Sequence, residues 1–169
     1  MSGSRQAGGN RASVQRVRLP LLDRLLDSNP DTPEPPPPSA AAALDILRAA
    51  VRRDLEALLN ARRRRQPISP LHGELRVSPL NYGIPDATSG AYAVPDRRQD
   101  LAREVEATIR RFEPRLTAVR VELLEEGEDL GRALRLKIDA VLRADPVPEP
   151  VSFETLLEPV SRDITVTEG

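Results

Sequence analysis

The chain has 169 residues, 39% hydrophobic and 30% charged but only 2% aromatic, and its 25 basic and 26 acidic residues leave a net charge of −1. That length suits one modest domain with tails, and the near-neutral balance supplies no field to attract nucleic acid or an anionic membrane. The absence of cysteine removes disulfides and thiolate metal sites, a single histidine (His72) removes multi-histidine sites, and no apolar run approaches the ~20 residues of a membrane span.

Met1 to Asn10 is Gly/Ser/Arg/Asn-rich without the apolar stretch of a signal peptide, so the expected location is cytoplasmic. Residues 1–15 read as disordered. Residues 19–27 form a short apolar patch around Leu21, Leu22 and Leu25, too small to fold alone. The prolines of residues 29–39 then predict an extended polyproline spacer. Residues 1–38 are therefore expected to be an N-terminal arm that docks on a partner, ahead of a single domain over 39–169. A first helix is predicted over Ala40 to Ala61, capped by Ser39, with Leu44, Leu47, Val51, Leu55 and Leu58 on one stripe. Arg62 to Arg65 would close its C-terminal end, where cations suit the helix dipole. Gln66 to Pro95 reads as a long irregular loop, a kind that is often functional. A second helix starts near Asp96 and runs to Phe112, with Leu101, Val105 and Ile109 at helical spacing.

At Glu113-Pro114-Arg115 the hydrophobic period changes from helix to strand. Pro114 stops the helix, and a carboxylate and a guanidinium two residues apart on extended chain should project to one side, ~7 Å apart. Val119, Val121 and Leu123, and then Leu134, Leu136, Ile138, Ala140 and Leu142, alternate with their neighbours, so Leu116–Glu125 and Arg132–Arg143, flanking a turn at 126–129, predict a hairpin with one face on the core. A proline-rich connector over 146–150, a third strand through Val151, Phe153 and Thr155, and a short strand at Ile164 and Val166 complete the chain. The expected fold class is α+β: two helices packed on a small, mainly antiparallel β-sheet, with an N-terminal extended arm.

On their residues alone, Glu113 and Arg115 read as solvated charges around a helix stop, since surface ion pairs contribute little. Asn81-Tyr82-Gly83 is a turn whose Tyr82 is either buried in the domain or an interface anchor. The run Arg62, Arg63, Arg64, Arg65 reads as a basic patch for an acidic neighbour rather than for nucleic acid. His72 is a loop residue without a catalytic or metal-ligating companion.

Five stretches in order, Leu21–Leu25, Arg52–Asn60, Ser78–Asp86, Ile109–Leu116 and Pro148–Thr155, resemble the TssE family of type VI secretion baseplate wedge subunits and the lysozyme-like wedge proteins of contractile phage tails. Departures are the Pro-rich stretch at 30–38 and Ala87. The resemblance implies a structural, non-enzymatic subunit with no catalytic residue, cofactor or metal. It would sit in a membrane-docked baseplate beside the wedge subunits TssF and TssG, near the contractile sheath, with TssK as a further candidate neighbour and no direct membrane insertion. It implies that Glu113, Pro114 and Arg115 match an assembly motif, and that the sheet resembles a part of the sheath subunit through which neighbours exchange strands. The interface set is thus Glu113, Pro114, Arg115, Leu21, Leu22, Leu25, Arg62, Arg63, Asn81 and Tyr82. Replacing Glu113 or Arg115 by alanine is expected to abolish secretion with little loss of melting temperature. The rival reading is a peptidoglycan-cleaving glycoside hydrolase, whose chemistry needs two carboxylates roughly 5–9.5 Å apart across a sugar cleft. The lack of tryptophan and the guanidinium beside Glu113, which makes it a poor proton donor, count against that reading.

Overall fold

The structure, a computed structural model, describes residues 20–25, 38–85, 95–124, 134–145, 147–157 and 164–169. The expected disorder of residues 1–15, most of the proline spacer and the turn at 126–129 lie outside these.

Three helices, α1 (Leu21–Leu25), α2 (Ala40–Asn60) and α3 (Pro95–Phe112), precede four strands, β1 (Leu116–Leu124), β2 (Leu134–Leu142), β3 (Glu149–Leu157) and β4 (Ile164–Glu168). The strands form one antiparallel sheet in the order β1-β2-β3-β4. This is the expected α+β class, with the two long helices on one sheet face, α3 along β1 and α2 along β4.

Ser39 caps α2, its hydroxyl accepting from Ala42 N at 3.2 Å. Of the predicted stripe, Leu47, Val51, Leu55 and Leu58 are buried and Leu44 is partly so; joined by Leu59, they belong to one core with Val105 and Ile109 of α3 and the inward side chains of the sheet. Phe153 is the largest fully buried residue, so a core almost without aromatics closes around one ring. The outer sheet face alternates charge across the strands. Arg120 stands opposite Asp139, and Lys137 lies between Glu122 and Glu154. Lys137 Nζ also lies 3.2 Å from Asp139 Oδ2.

Four expectations are corrected. The arginines at 62–65 are not in the last turn of α2, which ends at Asn60. They follow an extended Ala61, and Arg62 forms a parallel bridge to Ile84. The loop after them is not irregular throughout, because 3-10 turns occupy Gly73–Val77 and Pro79–Asn81. Ser78 caps the second, accepting from Leu80 N at 3.3 Å. Strand β3 starts at Glu149 and takes in Pro150, assigned above to a connector. Ser152 O accepts from Gly169 N, which fixes the even residues of β3 as facing the β4 side. The missing N–H of Pro150 therefore falls on a side that β4, paired only from Phe153 onward, does not reach. Lastly, β1 is not a plain alternation. Between Thr117 and Arg120 its register slips, and Ala118 adopts φ 50°. This bulge is why Leu116 and Val119, three residues apart, both face the core.

Candidate assembly interface at the helix-to-strand joint

The last bond of α3 runs from Glu113 N to Ile109 O at 2.8 Å, and Pro114 has no N–H with which to continue the ladder. The chain tightens into a turn, closed by Leu116 N donating to Glu113 O at 3.1 Å. Because it turns rather than extends, the two charges do not stand ~7 Å apart facing outward. The Glu113 side chain folds inward, and the residue is 4% exposed. Its Oε1 accepts from Arg115 Nε at 2.6 Å and from Arg115 N at 3.2 Å, while Oε2 accepts from Arg115 Nη2. A side-on bidentate pair of this kind is the strongest geometry available to the two groups.

The network continues beyond the motif. Arg115 Nη2 also donates to Asp54 Oδ2 at 2.7 Å, across 61 residues of sequence. Asp54 Oδ1 accepts from Arg53 Nε at 3.0 Å, and Arg53 Nη1 donates to Asp23 of α1 at 2.7 Å. Five charges thus alternate from the N-terminal helix to the joint: Asp23, Arg53, Asp54, Arg115, Glu113. The hydrogen bonds to Glu113, and secondarily those to Asp54, raise the pKa of Arg115 against the opposing effect of burial. For Arg53 the bonds to Asp23 and then Asp54 act in the same direction.

Asp54, Leu58, Tyr82, Phe112, Glu113, Pro114 and Arg115 line a cleft of about 350 Å³. Its aromatic wall is Tyr82 set edge-on to Phe112, ring centroids 5.3 Å apart at 72°. Burial, and then the negative charges of Asp54 and Glu113, push the Tyr82 phenol above its usual range. Tyr82 remains 36% exposed, so it is at once a wall of the domain and part of its surface. The loop that presents it is built from short bonds: Tyr82 N to Pro79 O at 3.1 Å and Asn81 Nδ2 to Arg76 O at 2.8 Å. Gly83, at φ 97°, lets Ile84 pair with the residues after α2. A Cβ on Gly83 would lie 2.2 Å from the Ala61 carbonyl oxygen, so no other residue fits without moving the backbone.

The structure gathers Glu113, Pro114, Arg115 and Tyr82 around one cleft and places Asn81 behind it as a brace of the loop. Leu21, Leu22 and Leu25 lie on α1, which Asp23 ties to Arg53, and they are 65, 53 and 71% exposed. Arg63 is directed inward to Glu104 of α3, and its backbone N donates to Ile84 O at 2.8 Å. Arg62 stands exposed at the bridge to Ile84. Two residues that sequence reasoning missed, Arg53 and Asp54, join the N-terminal helix to the motif. No local signal marks them, because their partners are distant in the chain. Among the described residues no group of three or more His, Asp or Glu is placed to hold a metal ion, and no helix is long and apolar enough to cross a membrane.

The family profile of baseplate wedge protein gp25 matches residues 45–147, 103 of the chain's 169. The chain belongs to the baseplate wedge protein gp25 family. The match takes in α2 from Asp45 onward, the turns carrying Tyr82, α3, the Glu113–Arg115 joint and the first two strands. It assigns the chain a structural role in a baseplate and assembly with other baseplate subunits. Comparison with curated proteins and with solved structures returns no match.

Proposed function

We propose that this gp25-family chain is a non-enzymatic wedge subunit of a type VI secretion baseplate, of the TssE kind. It would assemble with TssF and TssG, and with TssK as a further neighbour, on the cytoplasmic side of a membrane-docked complex, and would help attach the contractile sheath. The observation that carries this reading is the cleft at the joint. Leu58, Tyr82 and Phe112 line it together with Asp54, Glu113 and Arg115, and the same ion-pair network runs through Arg53 to Asp23 of α1, whose three leucines are exposed. Such a combination suits a hydrophobic anchor set within a polar rim. In this reading Glu113, Pro114 and Arg115 hold the cleft in shape, Tyr82 and the α1 leucines make the contact, and Arg62 adds a basic rim.

The hydrolase reading is weaker on chemical grounds. Both carboxylate oxygens of Glu113 accept from Arg115 and the residue is buried, so the group is held as an ionised acceptor out of reach of a substrate and has no proton to donate to a glycosidic oxygen.

The test is a pull-down of the tagged full chain co-expressed with TssF and TssG, beside Tyr82→Ala and a Leu21/Leu22/Leu25→Ser triple variant. Wild type should retain both subunits, and each variant should lose at least ~10-fold in retention, as truncated interface anchors do. Failure of the wild type to retain either subunit would overturn the wedge assignment. Clearing of peptidoglycan in a zymogram that disappears with Glu113→Gln would favour the hydrolase.

A further inference from the structure

Between α2 and α3 the chain holds a row of apolar side chains outside the core. Leu71 is 90% exposed, Leu75, Val77 and Leu80 are exposed too, and the two 3-10 turns bury no residue at all. Single exposed hydrophobic residues are ordinary, but four within ten residues make a patch, and such patches mark contacts. The backbone beneath them is fixed. Leu75 N donates to His72 O at 3.1 Å, Ser78 N to Leu75 O at 3.3 Å, and Asn81 N to Ser78 O at 3.0 Å. Ser78 Oγ donates to the same Leu75 O at 2.8 Å, and the Asn81 carboxamide ties the second turn back to the first at Arg76 O. The bridge between Arg62 and Ile84 clasps the two ends of the segment. A built scaffold therefore holds the leucines out, which lowers the ordering cost of any contact made through them.

Two features define what covers this ridge. The turns close on their own backbone donors, so a partner does not pair with them as a strand. Recognition goes through side chains, which is how an amphipathic helix is read. The charge among the leucines is positive. Arg76, between Leu75 and Val77, is exposed and has no acidic partner among the described residues, and Arg64 donates to the neutral carboxamide of Gln66. From Arg62 to Tyr82 the chain carries five arginines, of which Arg63 is turned to Glu104, against the single carboxylate of Glu74.

We propose that the ridge is a second docking surface, separate from the cleft at the joint, and that its occupant is an acidic amphipathic helix of a neighbouring baseplate subunit. One stripe of that helix seats apolar side chains on Leu71, Leu75, Val77 and Leu80, and carboxylates flanking the stripe face Arg64 and Arg76. The source of the helix rests on the baseplate reading above, whereas its chemistry rests on the ridge alone.

The probe is a labelled synthetic helix with a leucine stripe flanked by glutamates, titrated with the full chain and followed by fluorescence anisotropy. The same helix with lysine for every glutamate is the counterpart. The glutamate helix should bind at least ~10-fold more tightly, and less tightly as salt is raised. A Leu71→Ser/Val77→Ser/Leu80→Ser variant should lower that affinity at least ~10-fold with its melting temperature unchanged, since none of the three lies in the core. Arg64→Glu/Arg76→Glu leaves the leucines in place and should reverse the preference between the two helices. Equal binding of the two helices, no binding of either, or wild-type affinity in the serine variant overturns the proposal. Capture of the wild type by phosphatidylserine-containing vesicles, with the glutamate helix left unbound, would make the ridge a lipid contact and overturns it as well. The probe contains neither TssF nor TssG. A failed pull-down with the glutamate helix still bound therefore counts against the wedge reading alone, and the reverse result against the ridge alone.

Discussion

Glu113 shows how a surface motif in sequence becomes an interior one in structure. With both its oxygens on Arg115 and almost no exposure, it is part of the fold before it is part of any interface. Glu113→Ala strips a half-buried guanidinium of its main partner. The expected cost is about 2–4 kcal/mol, a melting drop on the order of 10 °C, read by thermal denaturation. This replaces the sequence-based expectation of little change. Loss of assembly in that variant therefore needs a folded control, and Tyr82→Ala supplies one. In the cycle Glu113→Gln, Arg115→Met and the double variant, the double should cost clearly less than the sum, with a coupling of roughly 1–3 kcal/mol. Tyr82 offers a signature at high pH. Its phenol is raised in the folded protein, so the unfolded chain releases that proton first. The stability it contributes is whole below the ordinary tyrosine range and is lost as pH rises through the folded value. An ultraviolet alkaline titration should show a late-titrating phenol in wild type that is missing in Tyr82→Phe.

At the scale of elements, what was legible follows the range of the interactions involved. Helix α2, helix α3 and strand β2 each repeat one period over at least nine residues, and β1 does so from Val119 onward, so the sequence shows these periods directly. The 3-10 turns over 73–81 were not legible, because they bury no side chain and satisfy themselves through bonds three residues apart. Pro150 hid the start of β3, since a proline reads as a break until the neighbouring strand is known to stop short of it. Asp54 beside Arg115 and Asn60 beside Ile164, 61 and 104 residues apart, were beyond any local pattern. Of the candidate site, the Glu-Pro-Arg joint and Tyr82 were readable, whereas the elements that join them were not. Helix α1 is held to the body by the Asp23–Arg53 pair, in which Arg53 is well exposed. Asp23→Asn should therefore change global stability by less than about 1 kcal/mol, yet increase amide exchange across Leu21–Leu25. A marked melting loss would mean that α1 carries core packing that its exposed leucines do not show.

For the whole molecule, the core described here begins at Ala43 and closes around Phe153, with none of its residues in α1. Deleting residues 1–38 should leave a folded protein, checked by circular dichroism and a cooperative melt, while weakening retention of TssF and TssG. The outer sheet face carries a different lesson. Its cations and anions alternate at strand spacing, Arg120 against Asp139 and Lys137 between Glu122 and Glu154. Opposite charges ~5 Å apart cancel well inside the ~8 Å over which physiological salt already damps a field. That face is electrically silent at a distance. It neither calls a neighbour in nor holds one off from afar, so contact and shape decide what rests against it.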